Sequence, residues 1–211
     1  SLFCSFAELD HYPDPHAQRD PARFIGPVFS LGQGAPADWP QAAGPRIFAY
    51  LKPEYGPLEQ VLGALSGLQA SVLVHVPGAA RKTLQNWTSP HMKFSIDPID
   101  MEAVRTTCDL ALCHGGVGAT AALLLAGKPL VLFPMHMEQW MTARRLQGMG
   151  AAASVTAEAT GQLPRLLKKV LADASLGEAA RRFGLAHGHY DQGSTINKAA
   201  DRCEALLAAG K

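Results

Sequence analysis

The residues best equipped for chemistry lie in one run, Cys108 to Trp140, CDLALCHGGVGATAALLLAGKPLVLFPMHMEQW. A histidine and three glycines, His114, Gly115, Gly116 and Gly118, follow the apolar stretch DLALC and lead into the helix-forming ATAALLLAG. Glycines at such a place let the chain turn sharply and let backbone amides approach a ligand without interference from a Cβ. The free amides and positive dipole end of the following helix favour an anion, with phosphate the natural one. His114 adds a side-chain donor beside the same turn. The same glycines also serve close helix–strand packing with no ligand at all, and a lone histidine at a strand end is often structural. A Walker loop is excluded, because no GK[ST] opens the helix; the GKP at Gly127 closes one instead. A dinucleotide fingerprint fits poorly, because the pattern is GGVG and the candidate acid, Glu138, comes several residues past the next strand.

These residues need a scaffold, and from Arg46 onward the sequence supplies a regular one. RIFAYL, ASVLVHV, MKFSI, DLALC, PLVLF and AAASV read as short strands. Their apolarity is continuous rather than alternating in SVLVHV and PLVLF, as in strands buried on both faces. Between them lie helical patterns: Leu58, Val61, Leu62 and Leu65 share one face, Asp100 caps a short helix, and Gly127 closes another. Three helical stretches finish the chain. Strand–helix alternation with short connections predicts a doubly wound, Rossmann-like α/β domain with a parallel sheet over residues 46–211. Residues 1–45 are different, with short apolar runs LFCSF and RFIGPVF separated by Pro, Asp and Gly and a linker-like SLGQGAPADWPQAAGP. No internal repeat or low-complexity tract appears.

Composition narrows the classes. The 211 residues carry 47% hydrophobic residues and a formal net charge of +1. That balance argues against a coat for nucleic acid or an acidic membrane, each of which needs a strong basic field. No charge-free run is long enough to span a bilayer. The four cysteines form no CxxC pair, and no signal peptide is visible, so a cytoplasmic location is expected. Eight histidines raise a metal reading. His187 and His189 point to different helix faces where i,i+4 spacing is needed, so no metal site is expected. His136, between Pro134 and Glu138, belongs to the same strand-end surface as His114.

The run HGGVGATAALLLAGKPLVLFPMHMEQWMTARRLQGMGAAASV resembles the donor-binding motif of GT-B glycosyltransferases, from His114 to about Val155 and more loosely from Arg46 to the C-terminus. The family pattern is HGG-x-G-S-T-x-E-A-L, then G-x-P, a strand, P-x-x-x-D-Q, an N-A-R-R-like helix and a G-x-G turn. ARFIGPV, Ala22 to Val28, looks like the segment by which the family leaves its N-terminal domain. The resemblance implies the C-terminal half of a GT-B fold, with residues 1–45 closing an N-terminal domain and linking it to the donor domain.

It also implies roles. His114, Gly115, Gly116, Val117, Gly118, Ala119 and Thr120 hold the diphosphate of a nucleotide sugar. Glu138 and Gln139 grip sugar hydroxyls, with His136 nearby. Ile96, Asp97, Pro98 and Ile99 form the nucleobase loop. The implied reaction moves a sugar from a UDP or dTDP sugar to the hydroxyl of a small-molecule acceptor bound by the missing domain. That domain also brings the catalytic base, and no cofactor is required. The departures from the family are Ala119 for Ser, Ala122 for the Glu that binds ribose hydroxyls, Ile96 for a stacking aromatic, and Glu138 for Asp. They keep two alternatives open: a non-catalytic nucleotide-sugar binding module, and a sugar-nucleotide epimerase of the same fold. Ser1 without a preceding Met fits an excised fragment, whose uncovered apolar surface predicts self-association.

Overall fold

A computed structural model describes residues 2–10, 20–29 and 33–209. His11 and His16 lie outside the described residues. Six parallel strands form one sheet in the order β3-β2-β1-β4-β5-β6: β1 Arg46–Tyr50, β2 Ser71–His75, β3 Met92–Ser95, β4 Leu110–Cys113, β5 Leu130–Leu132 and β6 Ala152–Ser154. This is the doubly wound fold expected from the sequence. The chain reverses direction across the sheet between β1 and β4, which leaves a crevice at the carboxyl ends of those central strands.

Side-chain alternation sorts the core onto the two faces. Ile47, Ala49, Val72 and Val74 pack on one face against α1 (Leu58–Ser66) and α6 (Leu163–Ala172). Phe48, Leu73, Ala111 and Leu132 pack on the other, where α3 (Met101–Thr107), α4 (Val117–Leu125), α5 (Met137–Gly148) and α7 (Ser175–Ala186) lie. Ile47, Phe48, Leu112, Leu130 and Val131 are fully buried, as continuous apolarity predicts. Asp100 caps α3 as expected, accepting from the amides of Glu102 and Ala103 at 2.8 and 3.3 Å. Gly127 closes α4 with φ +68°. A short helix α2, Arg81–Gln85, goes beyond the sequence reading; with only Leu84 buried, it has no apolar periodicity to announce it.

The early residues do not form a strand of the sheet. LFCSF makes one parallel bridge, Phe3 with Phe24, and a 3-10 turn Ala7–Leu9 follows. Phe6 and Leu9 are buried in the second face's core, with Phe6 against Phe183 at 5.3 Å and His187 at 4.2 Å between ring centroids. Residues 25–29 are tied to the start of α8, Gln192–Ala209. The Phe29 amide donates to Gln192 Oε1 at 3.0 Å, Thr195 Oγ1 donates to the Ile25 carbonyl, and Tyr190 O–H donates to the Pro27 carbonyl. Among the described residues, no helix is long and apolar enough to cross a membrane, and no cluster of side chains could hold a metal ion.

Candidate functional site at the carboxyl edge of the sheet

The turn after β4 is built around His114, which is 5% exposed. Its Nδ1 lies 2.7 Å from the Phe133 carbonyl oxygen, an acceptor only, so Nδ1 carries the hydrogen. Nε2 then accepts from the Lys52 amide at 2.9 Å. The imidazole therefore ties the ends of β1, β4 and β5 together, and Tyr55 packs edge-on against it at 5.2 Å. Burial pushes its pKa below the ordinary histidine value, against a smaller opposing effect of the Phe133 bond. The side-chain donor expected of His114 is thus already committed to the protein. The donors this turn offers an anion are backbone amides.

Those amides come from the start of α4. Gly116 is the N-cap residue, no side chain caps the helix, and a Cβ at Gly116 would meet nothing within 4 Å. The first amides of a helix have no intrahelical partner, which leaves those of Val117, Gly118 and Ala119, on half-buried residues beside the exposed Gly116, as donors for an anion. Gly115 has φ +86°, and a Cβ there would come within 3.4 Å of the Gln139 carbonyl. This is a left-handed turn wedged against the start of α5, which only glycine takes without strain. Thr120 lies deeper in this turn, below the cavity that Val117 and Glu138 line. It is fully buried, and its hydroxyl lies 4.0 Å from Cys113 Sγ.

The β5–α5 loop brings the next group. Gln139 is 9% exposed, and its Oε1 accepts from the Met135 amide at 2.8 Å, which holds the loop in shape. Glu138 and His136 are both exposed. Glu138 lines a cavity of about 460 Å³ with Val117, Thr120, Thr142, Cys4 and Asp10, large enough for a sugar ring.

The loop after β3 lies on the far side of the crevice. Ala35 pairs with it, its amide donating to the Pro98 carbonyl at 2.9 Å and its carbonyl accepting from Asp100 N at 2.8 Å. Ile99 is buried, Asp97 is exposed, and Ile96 packs against the first face's core. Ile96 is half-buried, with one side against that core and an aliphatic rather than aromatic surface left exposed. The three groups inferred from the sequence thus share one edge of the sheet in the order loop 96–99, turn 114–120, loop 136–139. Tyr50 and His75 end β1 and β2 between the first two groups; in the sequence they read as ordinary strand ends, His75 being one of the eight histidines weighed for metal.

Residues 59–189, more than half of the chain, match the family described as erythromycin biosynthesis protein CIII-like, C-terminal domain. A PGL/p-HBAD biosynthesis glycosyltransferase of Mycobacterium tuberculosis is 31% identical over 173 residues, 79% of this chain and 40% of that protein. The oleandomycin glycosyltransferase of Streptomyces antibioticus is 32% identical over 114 residues, 54% of this chain and 26% of its own. The spinosyn rhamnosyltransferase in complex with thymidine diphosphate superposes with a TM-score of 0.76 at 20% identity, covering 95% of this chain and 56% of that one. The chain therefore spans about half the length, or less, of the proteins it matches. It belongs to the erythromycin biosynthesis protein CIII-like C-terminal domain family, and its fold is that of the C-terminal half of a GT-B glycosyltransferase.

Proposed function

We propose that this chain is the donor-binding half of a glycosyltransferase that moves a sugar from a UDP or dTDP sugar to an acceptor hydroxyl. The observation that carries the reading is the uncapped start of α4, with its accessible Gly116, at the crevice between β1 and β4. An anion there is stabilised by three amides and the helix dipole, and a diphosphate leaving group gains most as its negative charge develops. His114 acts by holding the turn rather than by touching the phosphates. Glu138, on the far side of α4, accepts hydrogen bonds from sugar hydroxyls, and Gln139 keeps that loop in place. The nucleobase rests near Asp97, Pro98 and Ile99, with Ile96 as part of the support beneath. The acceptor and the catalytic base belong to a preceding domain, as in proteins about twice this length, so this half binds donor and transfers nothing by itself.

Calorimetric titration with UDP and dTDP tests the reading. Saturable binding of one of them by the wild type, weakened by Gly116→Pro, supports it. Pro fits the N-cap φ of −65° and puts its ring into the open space beside the first amides of α4. A wild type that binds neither nucleotide at millimolar concentration refutes it.

Self-association is part of the same proposal. Ile196, Leu206 and Leu207 of α8 are 48%, 56% and 73% exposed, an apolar surface that a second copy can cover. A monomer in light scattering at high concentration contradicts this.

A further inference from the structure

Tyr50 and His75 are register partners at the carboxyl ends of adjacent strands β1 and β2. Each follows a residue of the first face's core, Ala49 and Val74, and so points to the opposite face, the one that carries α3 and α4. Their rings stack with centroids 5.1 Å apart and planes 30° apart. In the strand order the pair therefore lies between the loop 96–99, which follows β3, and the start of α4, which follows β4. Both side chains are only half-buried there.

The chemistry of His75 is set by its partner. Nδ1 lies 3.1 Å from the Ser95 carbonyl oxygen, which can only accept, so Nδ1 carries the hydrogen. Nε2 is then a neutral acceptor, and among the described residues it has no protein partner. Burial favours the neutral ring, with the nearby Asp97 acting weakly in the other direction. A half-buried acceptor without a partner, on an aromatic stack, suits a polar ring that brings a hydroxyl donor. Meanwhile Ala122, in the second turn of α4, is 2% exposed and offers no polar atom.

We propose that Tyr50 and His75 form the ribose platform of the nucleotide site, with His75 Nε2 accepting a hydrogen bond from a ribose hydroxyl. The inference rests on the donor-binding reading above and adds the nucleoside contact to it. With the diphosphate at the start of α4 and the base at 96–99, the ends of β1 and β2 lie where the ribose must cross. An acceptor from the sheet thus takes the place of one from α4. Tyr50 is a positioning residue: its ring fixes the plane of the imidazole and supports the sugar from the side.

The test pairs a protein variant with a ligand variant. His75→Phe keeps the stack and removes both nitrogens. It strands no carbonyl, because the Ser95 oxygen also accepts from the Val76 amide at 2.9 Å. UDP, its 2′,3′-dideoxy analogue and inorganic pyrophosphate are titrated against wild type and variant, with melting temperatures as a check on folding. The wild type is expected to bind UDP about 5- to 10-fold more tightly than the dideoxy analogue, as for one hydrogen bond. His75→Phe loses that discrimination and leaves pyrophosphate affinity unchanged, and His75→Asn, which restores an acceptor, recovers part of it. If the wild type binds both nucleotides equally, the inference is overturned whatever the variant does. It is also overturned if His75→Phe retains the full discrimination. A wild type that binds no nucleoside diphosphate overturns the donor-binding reading, and this inference with it.

Discussion

The Lys52 amide donates to His114 Nε2 at 2.9 Å while His114 Nδ1 donates to the Phe133 carbonyl at 2.7 Å, so one neutral ring joins three strand ends. Protonation would place a hydrogen on Nε2 facing the hydrogen of the Lys52 amide, two donors with no acceptor between them. The folded pKa lies below the ordinary 6.5, so between the two values the unfolded chain binds a proton that the folded chain refuses. Stability is therefore full above about pH 6.5 and falls as pH drops towards the folded pKa. His75 is depressed in the same direction and adds to the same slope. Denaturant melts from pH 7.5 to 5 should show that slope, and His114→Gln should reduce it. A wild-type melt that is flat or rises on acidification contradicts the assignment of the neutral ring.

Gly115 and Gly116 are neighbours with opposite expectations. Gly115→Ala forces a side chain into φ +86° against the Gln139 carbonyl, and should cost roughly 1–2 kcal/mol in chemical denaturation. Gly116→Ala meets nothing within 4 Å at an extended N-cap, and should leave the midpoint within about 0.5 kcal/mol of wild type. Its effect should instead be on nucleotide affinity, because the methyl stands where the diphosphate docks. Equal loss of stability in both variants would show that the turn is a packing device alone.

Glu138 and Gln139, adjacent in sequence, divide in the same way between binding and support. Gln139→Leu removes the acceptor of the Met135 amide and should destabilise the fold by about 1–3 kcal/mol. Glu138→Ala changes an exposed side chain and should not move the melting temperature. It should weaken a nucleotide sugar but not the free nucleoside diphosphate, and calorimetry with the two ligands reads the difference.

Thiol labelling checks the packing of the second face independently. Cys4 and Cys203 are exposed, whereas Cys108 and Cys113 are buried. Burial pushes the Cys108 thiol up to about 11 and that of Cys113 upward as well, which keeps both protonated at neutral pH. Two thiols should react quickly in the native protein and four after denaturation. Four fast native thiols would mean that the face around α4 is not packed as described.

All six strands, the Asp100 cap and the Gly127 stop were legible in the sequence, because burial on both faces and helix-end chemistry leave local signatures. What was not legible depends on partners distant along the chain. Phe6 reads only as part of a short apolar run, yet it packs against Phe183, and Glu8 meets His187 at 3.0 Å. His114 reads as a ligand donor because no local pattern reveals that Lys52 and Phe133 occupy both its nitrogens. Thr120 reads as a phosphate contact, and its nearness to Cys113 has no local signature. The pairing of Tyr50 with His75 follows from strand register, which hydrophobic runs do not encode.

The central claim is that the amides at the start of α4 bind the diphosphate of a nucleotide. Backbone amide NMR of the 15N-labelled chain, titrated with UDP and dTDP, tests it most directly. The amides of Gly116 to Ala119 should show the largest saturable shifts, with smaller ones at His75 and residues 96–99, and inorganic pyrophosphate should move only the first group. Saturable shifts that leave Gly116 to Ala119 unmoved, or no shifts at millimolar nucleotide, would contradict the account.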